Sequence, residues 1–126
     1  MKLRDVAGRL GLKAVAGDGG GTGDDALDRE VSGGYVSDLL SDVMAHACEG
    51  AIWVTTQAHQ NIVAVAVLTG LAGVIIAGGV KPGDETLKKA QEEGIPLFVS
   101  DLPSFEVVGR LYTLGLRGGA RPCQGA

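Results

Sequence analysis

Aromatic side chains are scarce in this chain: they make up 4% of its 126 residues, although 45% are hydrophobic. A core must therefore be packed from Val, Ile, Leu and Ala, the palette of short strands buried on both faces of a parallel sheet. Basic residues are also in the minority. The net charge is -4 with a pI near 5.0, which argues against nucleic acid as a partner because a phosphate backbone calls for a basic face. The two cysteines, Cys48 and Cys123, are far apart and outside any C-x-x-C spacing, so they read as free thiols in a reducing compartment. No stretch approaches the roughly eighteen apolar residues of a membrane span. The N-terminal MKLRDVAGRLGL carries Asp5 and Arg9 within its apolar pattern, unlike a signal peptide. The expectation is a cytoplasmic protein with no membrane partner.

What is present fits one domain, since a chain of this length buries roughly two thirds of its unfolded surface. Leu3, Val6, Ala7 and Leu10 follow helical spacing up to Gly11, and Leu12 to Ala16 reads as a strand. Gly17 to Ala26 is a glycine-rich loop that contains neither G-x-G-x-x-G nor G-x-x-x-x-G-K-[ST]. Gly20 to Asp28 fits a single copy of a calcium-binding nonapeptide, a motif that works only in stacked copies. Glu30 to Val36 reads as a strand carrying a turn at Gly33-Gly34, and Leu39 to Cys48 as a helix with Leu39, Leu40, Val43 and Met44 on one face. Ser37 or Asp38 is placed to cap that helix, or Asp38 to face a ligand or partner.

Three aliphatic runs then alternate with helical segments. AIWVT (Ala51 to Thr55), VIIA (Val74 to Ala77) and PLFV (Pro96 to Val99) read as strands. The intervening lengths suit parallel crossovers, with helices over Ile62 to Leu68 and from Pro82-Gly83-Asp84 to Gly94. In the second of these, Glu85 with Lys89 and Lys88 with Glu92 stand i, i+4 and mark a solvated face. A last helix opens at Asp101 and Pro103, with Phe105, Val108, Leu111 and Tyr112 as its expected buried stripe, and closes at Gly115. The predicted fold is α/β: a single domain over residues 1–116, with a mostly parallel sheet covered by helices, followed by a disordered tail over 117–126.

The stretch LDREVSGGYVSDLLSDVM, from Leu27 to Met44, followed by EGAIWVTTQAHQNIVAVAVL, resembles the DRTGG domain family, and the similarity runs from about Met1 to Leu116. The resemblance implies the fold of that family, which is related to the N-terminal domain of HPr kinase and of Mur ligases. It further implies an accessory module of the kind fused to phosphate acetyltransferases and to pyrophosphatases with nucleotide-sensing CBS domains, and found also as small stand-alone proteins. Two positions depart from the family pattern: Ala51 stands where an acidic residue is common, and Gln60 where a proline follows the histidine.

In an open parallel sheet, the strands' carboxyl ends and the helix starts after them share one rim. The residues expected there are Thr55, Thr56, Gln57, His59 and Asn61 after the first aliphatic strand, Gly78 and Gly79 after the second, and Ser100 and Asp101 after the third. With Gly33, Gly34 and Asp38 as one wall, they form the candidate ligand site, and free N–H groups at helix starts would draw an anion. A small anionic ligand, such as a nucleotide, is the expected occupant. The plainer alternative is that Thr56, Asn61 and Asp101 only cap helices while His59 lies in solvent. No nucleophile turn or metal-ligand spacing is present, so neither catalysis nor a cofactor is expected. Two functions remain: a regulatory or ligand-sensing module, and an oligomerisation or scaffold module for a partner enzyme. A homodimer is expected in either case.

Overall fold

The computed structural model describes residues 1–19 and 25–120. Five strands form one sheet: β1 (Ala14–Ala16), β2 (Gly33–Val36), β3 (Ala51–Thr55), β4 (Gly73–Ile76) and β5 (Leu97–Val99), in the order β1-β5-β4-β3-β2. Strands β2 to β5 are mutually parallel, and β1 alone pairs antiparallel, with β5. Five helices accompany them: α1 (Leu3–Leu10), α2 (Leu40–His46), α3 (Asn61–Thr69), α4 (Asp84–Glu93) and α5 (Ser104–Thr113).

The chain steps in one direction from β2 to β5, and crossovers of one handedness then put every connecting helix on the same face. Accordingly Val43 of α2, Ile62 and Ala66 of α3 and Ala90 of α4 share a core with Ala51, Trp53, Val74, Ile76 and Leu97. The alternate strand residues Ile52, Val54, Ile75 and Phe98 point the other way and pack with Leu3 and Val6 of α1 and Val107 and Leu111 of α5. Burial on both faces is why β3 and β4 read as unbroken aliphatic runs. No described helix is long and apolar enough to cross a membrane.

Several local expectations are corrected. Gly33-Gly34 is not a turn: both residues are paired strand, opposite Ala51 and Ile52, and neither has positive φ. In α2, Val43 is buried while Leu39 and Met44 are exposed. Of the stripe expected on α5, Leu111 is buried and Val108 half-buried against the core, whereas Phe105 and Tyr112 are exposed and Val107, outside that stripe, is buried. The ion pair formed on α4 is Lys89 with Glu93. Cys48 is buried and disulfide-bonded rather than a free thiol, and Cys123 lies outside the described residues. Arg117 to Ala120, read as the start of a tail, instead runs beside β2: Gly34 N donates to Arg117 O at 2.9 Å and Gly119 N to Gly34 O at 2.7 Å. The remainder of that tail, 121–126, lies outside the described residues, as does most of the Gly20 to Asp28 nonapeptide.

Candidate functional site

Because β2 to β5 run parallel, their carboxyl ends lie along one rim. Asp38 follows β2 at this rim and reaches β3: Oδ1 accepts from Thr55 Oγ1 at 2.9 Å and from the Thr56 amide at 2.7 Å, and Oδ2 accepts from Thr56 Oγ1 at 2.9 Å. The Thr56 amide bond is the largest cause holding the Asp38 carboxyl below its ordinary value, with desolvation opposing it and the two hydroxyls assisting. A carboxylate can accept about four hydrogen bonds, so Oδ2 keeps room for one more donor. Asp38 does not cap α2, whose N-cap is Leu39 without a side-chain bond; Ser37 Oγ takes the Leu39 amide instead.

Neighbouring strand ends are tied in the same manner. The amides of Gly78 and Gly79, after β4, donate to Leu102 O at 2.8 Å and Ser100 O at 2.9 Å. Both glycines have positive φ, which turns these amides toward the β5 end. This is the place where consecutive connections leave for opposite faces, α4 on one side and α5 on the other. At the start of α3, His59 Nδ1 accepts the Asn61 amide at 3.1 Å, so a neutral ring carries its proton on Nε2. The next two amides donate to His59 O and Gln60 O at 3.0 Å. The amides of Thr56, Gly78 and Gly79 and those that open α3 are therefore occupied. Side-chain groups remain: Gln57, His59, Asn61 and Asp101 are exposed, and Ser100 Oγ accepts from Leu102 N while its hydrogen stays available.

The plainer alternative is met in part. His59 is exposed, yet its ring is what satisfies the helix start; Thr56 bonds Asp38 rather than a helix; and α5 has Pro103 at its N-cap with no side-chain cap. Lys81, in the connection after β4, is an exposed cation that the sequence reading did not single out. Of the twelve candidate residues, Gly33 and Gly34 stand apart, at the amino end of β2 on the opposite rim. A hollow missed by sequence reasoning is an apolar cleft of about 150 Å³ between β2, α5 and the 116–118 segment, lined by Tyr35, Val36, Val54, Val108, Leu111 and Tyr112 among others. The Arg117 guanidinium lies 3.8 Å from the centre of the Tyr112 ring at its edge.

Residues 20–114 match the sequence pattern of the DRTGG domain. The chain belongs to the DRTGG domain family. No curated protein matches it in sequence. Among solved structures it is similar to the CBS and DRTGG domains of the regulatory region of Clostridium perfringens pyrophosphatase, which was crystallised with its activator, diadenosine tetraphosphate. That match has a TM-score of 0.60 at 16% identity and covers 92% of this chain and 47% of the other, so the present chain spans about half its length. At this identity the likeness is one of fold.

In this DRTGG domain, the motif Asp28-Arg29-Glu30-Val31-Ser32-Gly33-Gly34 binds the amino-end rim together. Asp28 and Asp25 pair with Arg4 of α1. Arg29 Nη2 donates to Gly94 O at 2.9 Å, at the carboxyl end of α4 where the helix dipole favours a cation. Glu30 pairs with the Met1 ammonium, and Ser32 Oγ donates to Glu49 O at 2.7 Å. Gly33 gives the 117–119 segment room: a Cβ there would stand 2.7 Å from Arg117 O. Every polar side chain of the motif is thus engaged within the domain.

Proposed function

We propose that this DRTGG domain is a non-catalytic regulatory module that senses a small anionic ligand, a nucleotide, and acts as a homodimer. The observation that carries this reading is its membership of the DRTGG family, together with a shared fold in a regulatory region crystallised with a dinucleotide activator. The carboxyl-end rim offers the matching chemistry. The remaining acceptor position on Asp38 Oδ2 and the Asp101 carboxylate suit ribose hydroxyls, while His59 Nε2, the side-chain amides of Asn61 and Gln57, and Lys81 can donate to phosphate oxygens. Thr55, Thr56, Gly78, Gly79 and Ser100 would support the site through the bonds that join the strand ends. Binding would exchange some of those bonds for bonds to the ligand, and that exchange is how the module would report occupancy.

Isothermal titration of the full chain against nucleoside mono-, di- and triphosphates and diadenosine tetraphosphate tests the reading. Saturable heat is expected, weakened at least tenfold by Asn61→Ala. No heat above dilution at millimolar ligand would remove the sensing role. The second reading, a scaffold module for a partner enzyme, is favoured by one observation: α5 presents Phe105 at 86% exposure to the outside.

A further inference from the structure

Helix α5 has an outer face unlike that of a solvated helix. Phe105, Gly109 and Tyr112 stand at i, i+4 and i+7 on one exposed stripe, with Tyr112 at the edge that borders the apolar cleft and carries the Arg117 guanidinium. Phe105 is 86% exposed and Tyr112 58%. The outward residues of α4 are, by contrast, Glu85, Lys88 and Glu92. Gly109 adds a second observation. A glycine inside a helix costs about 0.5–1 kcal/mol relative to alanine, and here an added Cβ would meet nothing within 4 Å, so packing within the protomer gives no reason for it. A small residue at the centre of an apolar stripe is what lets another helix backbone come close.

The stripe is also complementary to itself. Phe105 and Tyr112 lie equally far on either side of the point between Val108 and Gly109. When two copies of α5 cross antiparallel about a two-fold axis at that point, Phe105 of each protomer falls opposite Tyr112 of the other. The same operation keeps a flank on its own side and reverses it along the axis. Glu106 and Arg110 share one flank at i, i+4, so Glu106 of one protomer comes within one residue step of Arg110 of the other. Both are exposed, and neither is ion-paired with a described residue. An aromatic pair, a glycine crossing point and two reciprocal ion pairs all follow from one symmetry operation on one helix.

We infer that α5 is the homodimer interface, with a second copy of this chain as its occupant, crossing at Gly109. This rests on the homodimer reading above and adds the surface that forms it. The exposed Val67 and Leu68 of α3 form a rival apolar patch, but one with neither a glycine nor charges of both signs.

Sedimentation equilibrium on the full chain decides the matter. The wild type is expected to be a dimer. Gly109→Leu should weaken it at least tenfold, with no fall in the melting temperature measured at low concentration, because the new side chain meets open space within the protomer. Glu106→Arg and Arg110→Glu should each weaken it, and the two together should restore it, which a merely structural role for either residue would not produce. If the wild type is a dimer and these variants remain as tight, the α5 surface is wrong while the dimer reading survives; dissociation by Leu68→Glu would then locate the contact on α3. A wild-type monomer at several hundred micromolar overturns both.

Discussion

Asp38 and Thr56 are joined twice, the threonine donating its amide to one carboxylate oxygen at 2.7 Å and its hydroxyl to the other at 2.9 Å. This pair ties the carboxyl end of β2, an outer strand, to that of β3. Trp53 Nε1 donates to Ser37 O at 2.8 Å immediately beside it, so the single tryptophan of the chain reports on the same connection. A ligand bound at the proposed site would therefore act on a join between strands.

The join is sensitive to acid. The folded-state carboxyl of Asp38 titrates below its ordinary 3.8, so the stabilisation it gives is complete above that value and is lost as the pH falls through the lower folded one. Asp38→Ala should lower stability at neutral pH by about 1 kcal/mol, exposure limiting the effect, and should flatten the acid limb of the stability profile. Urea melts followed by Trp53 fluorescence from neutral pH downward check this. An acid limb as steep in the variant as in the wild type would count against it.

The two glycines of the motif should respond differently to alanine. At Gly33 the new Cβ would press on Arg117 O at 2.7 Å, whereas at Gly34 its nearest contact is 3.9 Å. Gly33→Ala should loosen the 117–120 segment, raising the rate of tryptic cleavage after Arg117 severalfold and reducing stability by about 1–2 kcal/mol. Gly34→Ala should be close to neutral in both measurements.

These glycines also show where sequence reading stopped. The AIWVT strand is legible to the residue because a strand buried on both faces leaves an unbroken aliphatic run. Gly33-Gly34 has the composition of a turn, and only the arrival of a segment distant in sequence explains why a strand would carry it. In α5 the stripe Phe105, Val108, Leu111 and Tyr112 spans nearly half the helix, and the sequence does not show that its aromatic edge faces out while Val107 on the other side completes the core. At the rim, the polar residues were foreseeable from the parallel strand order. That the amides of Gly78 and Gly79 are already bonded was not, since their acceptors come from the loop after the next strand.

Arg29 separates architecture from ligand binding. Its guanidinium holds the carboxyl end of α4 through Gly94 O, on the rim opposite Asp38. Arg29→Gln should cost about 1 kcal/mol of stability while leaving nucleotide heats in titration calorimetry within twofold of wild type. A binding defect larger than the stability loss would place the ligand on the amino-end rim, and would move the proposed site to the motif itself.

Tyr35 and Asp42 make a hydrogen bond with a limited range of pH. The phenol donates to Asp42 Oδ2 at 2.9 Å, which requires a neutral tyrosine and an ionised carboxylate. Desolvation first, then the Asp42 bond and charge, raise Tyr35 above its ordinary 10.0; bonds from Ser37 and Tyr35 lower Asp42 below 3.8. A raised folded value means the phenol's contribution is present at and below neutral pH and fades as alkali ionises it. A lowered one means the carboxylate's contribution fades in acid. Tyr35→Phe should therefore lower the melting temperature through the neutral range and converge with wild type at both extremes. In wild type, phenolate absorbance should show a tyrosine that ionises above the ordinary value and moves back toward it in Asp42→Asn. Constant separation of the two melting curves across the whole range would mean that the ring's packing, rather than its hydroxyl, sets the difference.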